Sequence, residues 1–296
     1  WLLLRKIKEH FDFNLIDAHF AYPDGYAATL LGKWFKVPVT ITLRGTEVPF
    51  SKEPSRKVKM MAALANATQV FSVSQSLKSL VVGLGADKDK IEVVGNGIDI
   101  AKFQPINKNT VREKLDIPQS AKVMISVGAL VDRKGFHRVI EVMPQLVEKF
   151  PELIFLIVGG DSPEGGIRNK LEQQVQQLNL KKHVRFLGAL PTEELKKPLS
   201  AADVFVLATE NEGWANVFLE AMANKLPIVA TNIGAIPDFV THNENGFLVA
   251  PDDVDDIAEK LCVLLSEPDK CKSFGNKGYR VFKENYSWDA MGLKMK

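Results

Sequence analysis

Short β-branched runs, roughly four to eight residues long, alternate with amphipathic stretches of roughly ten to fifteen along almost the whole chain. That rhythm predicts βαβ units and parallel sheets. In the first third, strands are expected at "LIDAHF" (15–20), "VPVTITL" (37–43), "QVFSVS" (69–74) and "KIEVVGN" (90–96), with helices over 24–36, 55–66 and 75–84. The pattern resumes with strands over 121–128, 153–160, 183–188, 203–208, 227–231 and 246–250. Helices are expected over 135–150, 165–179, 192–200, 216–224, near 235–240 and over 253–266. The near-continuous apolar strands suit sheets covered on both faces, and right-handed crossovers then give Rossmann-like layers. The rhythm breaks at Gly97–Val111, a polar stretch with a proline, which reads as a linker.

The expected fold is therefore α/β, with two doubly wound parallel-sheet domains facing across a cleft. The first spans 1–105 and is incomplete, the second spans 106–280, and a terminal segment covers 281–296. A chain of 296 residues is long enough for two cores. In such sheets ligands sit beyond the carboxyl ends of the strands, at a switch point or a domain interface.

Composition narrows the function classes. Hydrophobic residues make up 46% and charged residues 25%, an ordinary globular balance, and a net charge of +2 gives no case for nucleic acid as a partner. The first 105 residues carry 14 Lys and Arg against 10 Asp and Glu. That excess is either chance or a mildly basic face towards an anionic acceptor or membrane surface. Cys262 and Cys271 have neither zinc spacing nor a disulfide framework around them. They read as buried thiols on one helical region, in a reducing, cytoplasmic setting. No apolar run is long enough to cross a bilayer. Trp1, Lys6 and Lys8 belong to an amphipathic start that suits either an ordinary helix or peripheral membrane contact. The chain has no starting Met, which suggests that it lacks a native N-terminus.

The most informative motif is "ATENEGWANVFLEAMANKLPIVAT" (208–231). It follows a strand, turns through Gly213 and opens a helix near Asn216, whose free N–H groups suit a phosphate. Two acids flank that start, Glu212 in the loop and Glu220 about a turn inside. They suit either acceptors for sugar hydroxyls or acids favoured at a helix start by the dipole. In "SVGALVDRKGFHRVIEV" (126–142) a strand ends at Gly128, and a loop carries Arg133 and Lys134 before the next helix. These cations either neutralise a diphosphate or form a solvated basic turn. The loop is not a Walker A motif, and no dinucleotide fingerprint Gly-x-Gly-x-x-Gly is present. His19, Arg44 and Glu47 sit at strand ends in the first domain, either at a binding crevice or as ordinary loop residues.

Taken together, these residues resemble glycosyltransferase family 4. "EGWANVFLEAMANKLPIVAT" is similar to its Glu-x7-Glu signature, "VGALVDRKG" to its glycine-lysine loop, and "NGID" (96–99), "GAIPDFV" (234–240) and "NGFLV" (245–249) to further motifs, in order along nearly the whole chain. The resemblance includes the branch that builds exopolysaccharide, O-antigen or teichuronic-type polymers. It implies a GT-B fold and retaining hexosyl transfer from a UDP- or GDP-type sugar to a glycan or lipid-linked acceptor. It implies no cofactor and no essential metal. Lys134 would contact the donor diphosphate, assisted by Arg133 and Gly128. Glu220 would hold the ribose diol, and Glu212 would face the hexose. Backbone groups of Gly213, Trp214, Ala215, Asn216 and Val217 would cradle phosphate and sugar. Arg44 would act near the reacting sugar, with His19 and Glu47 on the acceptor side.

Two positions depart from the family. Ala129 stands where an Arg is usual, and Arg44 where a His is usual. The family's opening strands and glycine-rich acceptor loop are expected before Trp1. The expected setting is cytoplasmic, with peripheral contact to the inner face of the membrane. Two other readings fit the same motifs: a UDP-sugar 2-epimerase of the same fold, and a non-catalytic nucleotide-sugar-binding fragment.

Overall fold

The computed structural model of the chain describes residues 2–162 and 165–294. Trp1, named above for membrane contact, and the last two residues of the 281–296 segment lie outside the described residues. The chain divides into two compact units that meet in sequence at Asn96 and Gly97. Each has its own hydrophobic core.

The first unit is a four-stranded parallel sheet, β1 (Ile16–His19), β2 (Val39–Leu43), β3 (Gln69–Ser72) and β4 (Ile91–Val93), in the order β1-β2-β3-β4. Helices Tyr26–Phe35, Pro54–Asn66 and Gln75–Gly83 connect its strands. Only one face of this sheet is deeply buried. Ala18, Val39, Ile41, Leu43, Val70 and Ile91 turn inward, while Asp17, His19 and Glu92 are exposed on the other side. The expectation of two covered faces fails here because polar residues recur at every second position of these strands, Thr40 and Thr42 of β2 among them.

The second unit meets that expectation. Its strands are β5 (Val123–Val127), β6 (Ile154–Val158), β7 (Val184–Gly188), β8 (Val204–Leu207), β9 (Ile228–Thr231) and β10 (Gly246–Val249). All pairs are parallel, in the order β10-β9-β8-β5-β6-β7. Every residue of β5, β6, β8 and β9 is buried. The chain winds from β5 out to β7, then returns to β8 and winds the other way to β10. The loops that follow β5 and β8 therefore diverge, and a doubly wound sheet opens its ligand crevice at that switch point.

The helices of this unit depart from the sequence reading in four places. The 97–111 stretch is not a free linker. It contains the start of helix Lys108–Lys114, and Ile98 exchanges backbone hydrogen bonds with the 286–288 segment: Ile98 N–H to Tyr286 O (3.0 Å) and Trp288 N–H to Ile98 O (3.2 Å). The 192–200 helix splits into a turn at Thr192–Glu194 and a helix at Lys196–Ala201. The one near 235–240 is a single turn, Ile236–Asp238. Cys262 and Cys271 sit on separate helices, Val254–Ser266 and Pro268–Asn285, and both are only partly buried. Pro268 has no N–H to continue the first helix and instead starts the second.

Asp203, just before β8, fastens the unit's first helix to its sheet. It accepts from Lys108 Nζ (2.5 Å), from the Arg112 guanidinium (3.0 Å) and from the Val123 N–H (2.7 Å). Arg112 is 4% exposed and also binds the Ala201, Gln119 and Ala121 carbonyls. Asp203→Ala would leave that guanidinium buried without a counter-charge. We expect a loss of about 3 kcal/mol, read as a lower urea midpoint.

Candidate functional site

The loops after β5 and β8 are locked together by their backbones. Gly135, at the end of the first loop, has φ +69°, and a Cβ there would lie 1.9 Å from the Ala208 carbonyl oxygen. Only glycine permits that approach. Two residues further back in the loop, the Arg133 carbonyl accepts from the Glu210 N–H (2.7 Å) and the Thr209 hydroxyl (2.9 Å). The Thr231 hydroxyl, at the end of β9, donates to the Thr209 carbonyl (2.5 Å).

This clamp sets Lys134 against Glu212, with Nζ to Oε2 at 2.5 Å. The residues are 9% and 8% exposed, so two charges that would each be costly to bury neutralise one another. Gly128 lies beside the Lys134 stem, where a Cβ would make only ordinary contact at 3.7 Å. The Glu212 main chain is held from behind by the Gly234 turn. Its carbonyl accepts from the Ala235 N–H (3.1 Å), and Gly234, at φ +52°, leaves no room for a side chain, since a Cβ would lie 1.9 Å from that same oxygen.

Helix Asn216–Ala223 begins at once after this loop, and no side chain caps its start. Gly213, Trp214 and Val217 are half-buried, Ala215 is buried and Asn216 exposed. The Trp214 indole packs on Phe239 (5.4 Å) and Tyr286 (5.5 Å), and its buried Nε1 has no partner among the described residues. It anchors the loop to the aromatic core. Glu220 is 8% exposed, and its carboxylate has no hydrogen bond or ion pair among the described residues. Burial pushes its carboxyl up to about 7, because nothing replaces the water a carboxylate loses. It is a set of acceptors without donors.

Arg138, which the sequence reading passed over, is a further support. It sits one helical turn beyond Lys134, on helix Phe136–Lys149, and its side chain is 12% exposed. It binds Glu210, Asp252 (both 2.5 Å) and the Ala208 carbonyl (3.3 Å). Its cation is committed to the β8 loop, so it does not replace the arginine expected at Ala129. Arg133 is half-buried, and its backbone carries the clamp. Among the described residues no three His, Cys, Asp or Glu side chains gather as a metal site.

In the first unit, considered alone, the carboxyl ends of the strands bring His19, Arg44 and Asn96 together. Arg44 Nε donates to His19 Nδ1 (3.0 Å) and its Nη1 to the Asn96 side-chain oxygen (3.1 Å). Glu47 is different from its expected acceptor-side role. It is fully buried, and its two oxygens accept the Ala21 N–H (3.2 Å) and the Gly45 N–H (2.8 Å). It fixes the two loops that carry His19 and Arg44.

The glycines provide a paired test. Gly135→Ala should cost about 1–3 kcal/mol in strain, lowering the melting temperature and loosening Lys134. Gly128→Ala, with room for a Cβ, should stay within about 1 kcal/mol of the parent. Thermal unfolding of both variants checks this.

The chain matches two family profiles, described as "Glycosyl transferases group 1" over residues 107–281 and "Glycosyltransferase Family 4" over residues 1–102. It is 33% identical over 274 residues to D-inositol 3-phosphate glycosyltransferase of Corynebacterium urealyticum, covering 87% of this chain and 64% of that protein. The chain thus spans less than two thirds of that relative's length. It is 29% identical over 255 residues to a putative teichuronic acid biosynthesis glycosyltransferase of Bacillus subtilis, covering 84% of this chain and 60% of that protein. Among solved structures it resembles Anabaena HepE in complex with UDP, with a TM-score of 0.90 at 19% identity, covering 99% of this chain and 80% of that one. It also resembles sucrose-phosphate synthase from Thermosynechococcus elongatus, with a TM-score of 0.85 at 24% identity, covering 99% and 74%. These likenesses show the fold, which is GT-B, and with the profile matches they establish that the chain belongs to the group 1 glycosyl transferases, with a family 4 domain at its N-terminal end.

Proposed function

We propose that the protein transfers a hexosyl group from a nucleotide-diphosphate sugar, of UDP or GDP type, to a glycan or lipid-linked acceptor in cell-surface polysaccharide synthesis. Transfer retains the anomeric configuration and needs no essential metal. The observation that carries this reading is a buried Lys134–Glu212 pair at the switch point of the second sheet, followed by a helix that carries Glu220, a buried carboxylate with no partner among the described residues. A nucleotide sugar supplies what each lacks. Its ribose diol donates to Glu220, its diphosphate takes up Lys134 and the uncapped helix start at Asn216, and its hexose hydroxyls donate to Glu212. Named relatives are glycosyltransferases, and HepE was solved with UDP, which supports the assignment.

In this reading the glycosidic bond breaks towards an oxocarbenium-like state. Lys134 and the helix N–H groups stabilise the negative charge that grows on the departing diphosphate. The acceptor oxygen enters on the same face, and no protein nucleophile intervenes. Arg44, oriented by His19 and Asn96, binds an acceptor phosphate through its guanidinium.

Thermal-shift screening of UDP-, GDP- and ADP-sugars, followed by a nucleotide-release assay with acceptor, tests the reading. If none of these sugars stabilises the protein, the reading fails, and turnover of the sugar without acceptor would point to a 2-epimerase. Glu220→Ala should weaken nucleotide binding about tenfold or more. Glu212→Ala should keep binding within about threefold but lower turnover about a hundredfold. Unchanged turnover on adding EDTA checks metal independence.

Glu220 also predicts a pH dependence. Its carboxyl titrates near 7, and the diol needs the ionised form. Nucleotide affinity should rise with pH up to about 7, by at most about tenfold per unit, and level off above it. Stability without ligand runs the other way. The folded pKa lies above the unfolded 4.5, so stability present below 4.5 is lost as pH rises through 7. In Glu220→Gln both dependences should flatten, measured by calorimetry across the pH range.

Helix Leu2–His10 has no buried residue and exposes Leu2, Leu3 and Ile7. No helix among the described residues is long and apolar enough to cross a membrane. The reading extends to peripheral contact of this helix with the anionic cytoplasmic face of the membrane. Lys6 assists it, whereas Lys8 is turned back to Asp12 (3.3 Å). Co-sedimentation with phosphatidylglycerol vesicles should fall in Leu3→Glu, and equal retention of parent and variant would refute the contact.

A further inference from the structure

Three lysines without an acidic partner among the described residues, Lys122, Lys225 and Lys272, lie together at the end of the sheet opposite to Lys134 and Glu212. A cavity of about 390 Å³ opens there beneath the starts of β5, β8 and β9. Lys134 follows β5 and Lys122 precedes it, so the five residues of β5 put roughly 16 Å between the two places.

The floor of the cavity is apolar. Leu226, Leu264 and Leu265 form it, at 4%, 2% and 2% exposure. Its neutral and acidic polar groups are already engaged. Ser200 donates to the Asn224 side chain (3.0 Å) and accepts from the Ile106 N–H (3.1 Å), and Asp203 is saturated by Lys108, Arg112 and Val123. Burial holds the Cys271 thiol up at about 11, so it stays neutral. The remaining wall is cationic. Lys122, Lys225 and Lys272 line the opening, and none has an acidic partner among the described residues. Lys225 rests against the Tyr279 ring at 5.2 Å.

An apolar floor under three ammonium groups is complementary to a molecule with an apolar body and an anionic head. Lysine, a compact point charge, suits a phosphate, and the volume suits a small molecule rather than a chain segment. We infer that this cavity is a second ligand site, for a small soluble organic phosphate with an apolar moiety, separate from the donor site. Lys122, Lys225 and Lys272 bind the head, and Leu226, Leu264 and Leu265 take the body. Both parts are needed: burying methylene groups strengthens binding beyond that of the head alone, and the lysines fix which end faces out.

Isothermal titration of the whole chain with hexyl phosphate and with inorganic phosphate tests this. Hexyl phosphate should bind at least about tenfold more tightly than inorganic phosphate. Lys122→Glu and Lys272→Glu should each weaken it about tenfold, as loss of one charge-assisted contact would. Lys225→Asn removes a charge at a left-handed position (φ +58°) that asparagine adopts readily, so it tests the charge without risk to the fold. Excess UDP should leave hexyl phosphate binding unchanged. The inference is overturned if hexyl phosphate does not bind, if all three variants bind like the parent, or if UDP displaces it. Capture by phosphatidic acid vesicles that depends on Lys122 would assign the site to a lipid headgroup and overturn the soluble ligand.

Discussion

The contact between Gly135 and the Ala208 carbonyl governs the second unit's site. Two strands that lie side by side, β5 and β8, send their chains in opposite directions, and left alone their loops would separate. The close approach at Gly135, with the Arg133 carbonyl holding Thr209 and Glu210, keeps them in register. The Lys134–Glu212 pair follows from that register. A buried ion pair contributes little net stability by itself, because desolvation offsets attraction. Its value here is placement: a cation and an anion are held, dry and adjacent, before any ligand arrives. The Gly234 turn and Arg138 brace the same loop from two further directions, so position is overdetermined around the residues whose chemistry matters.

Much of this was legible in the sequence, for physical reasons that differ by element. Strands β5, β6, β8 and β9 were plain because a sheet covered on both faces needs unbroken apolar runs, and such runs are conspicuous. Lys134, Glu212 and Glu220 were found because glycines and a helix start mark a strand-to-helix turn. What the sequence hid depends on partners distant along the chain. Nothing local distinguishes Glu47, which is wholly enclosed and holds two backbone N–H groups, from an acid facing a crevice. Arg138 looked like one more helix cation, though its i+4 spacing from Lys134 was a usable sign. Trp214 sits in the loop before helix Asn216–Ala223, and its indole joins the aromatic core, since its contacts at Phe239 and Tyr286 come from two later segments. The linker was misjudged for the same reason: polarity and a proline in 97–111 said nothing about a pairing with residues near 287.

The two buried acids of the site illustrate how environment, not residue type, sets a role. Glu212 and Glu220 are equally shielded, at 8% each. One has a lysine at 2.5 Å; the other has no partner among the described residues, and burial pushes its carboxyl up to about 7. The first is a positioned charge. The second is an unmet demand for donors, held on a rigid helix whose Phe218, Leu219, Ala221 and Met222 are all buried. Such a demand is tolerated in a fold when a ligand regularly meets it.

The seam formed by Gly97, Ile98 and the Tyr286–Trp288 segment has a consequence for how the protein is made. It joins the first residues of the second unit to nearly its last, by the Ile98 backbone pairing and by the Trp288 indole donating to the Gly97 carbonyl (3.1 Å). A ribosome releases the chain from its N-terminal end, so β1–β4 emerge before the second unit has been made. The second cannot form this seam until residues 286–288 have been made. Until then the Trp214 and Phe239 rings lack the Tyr286 ring that packs on both in the folded unit.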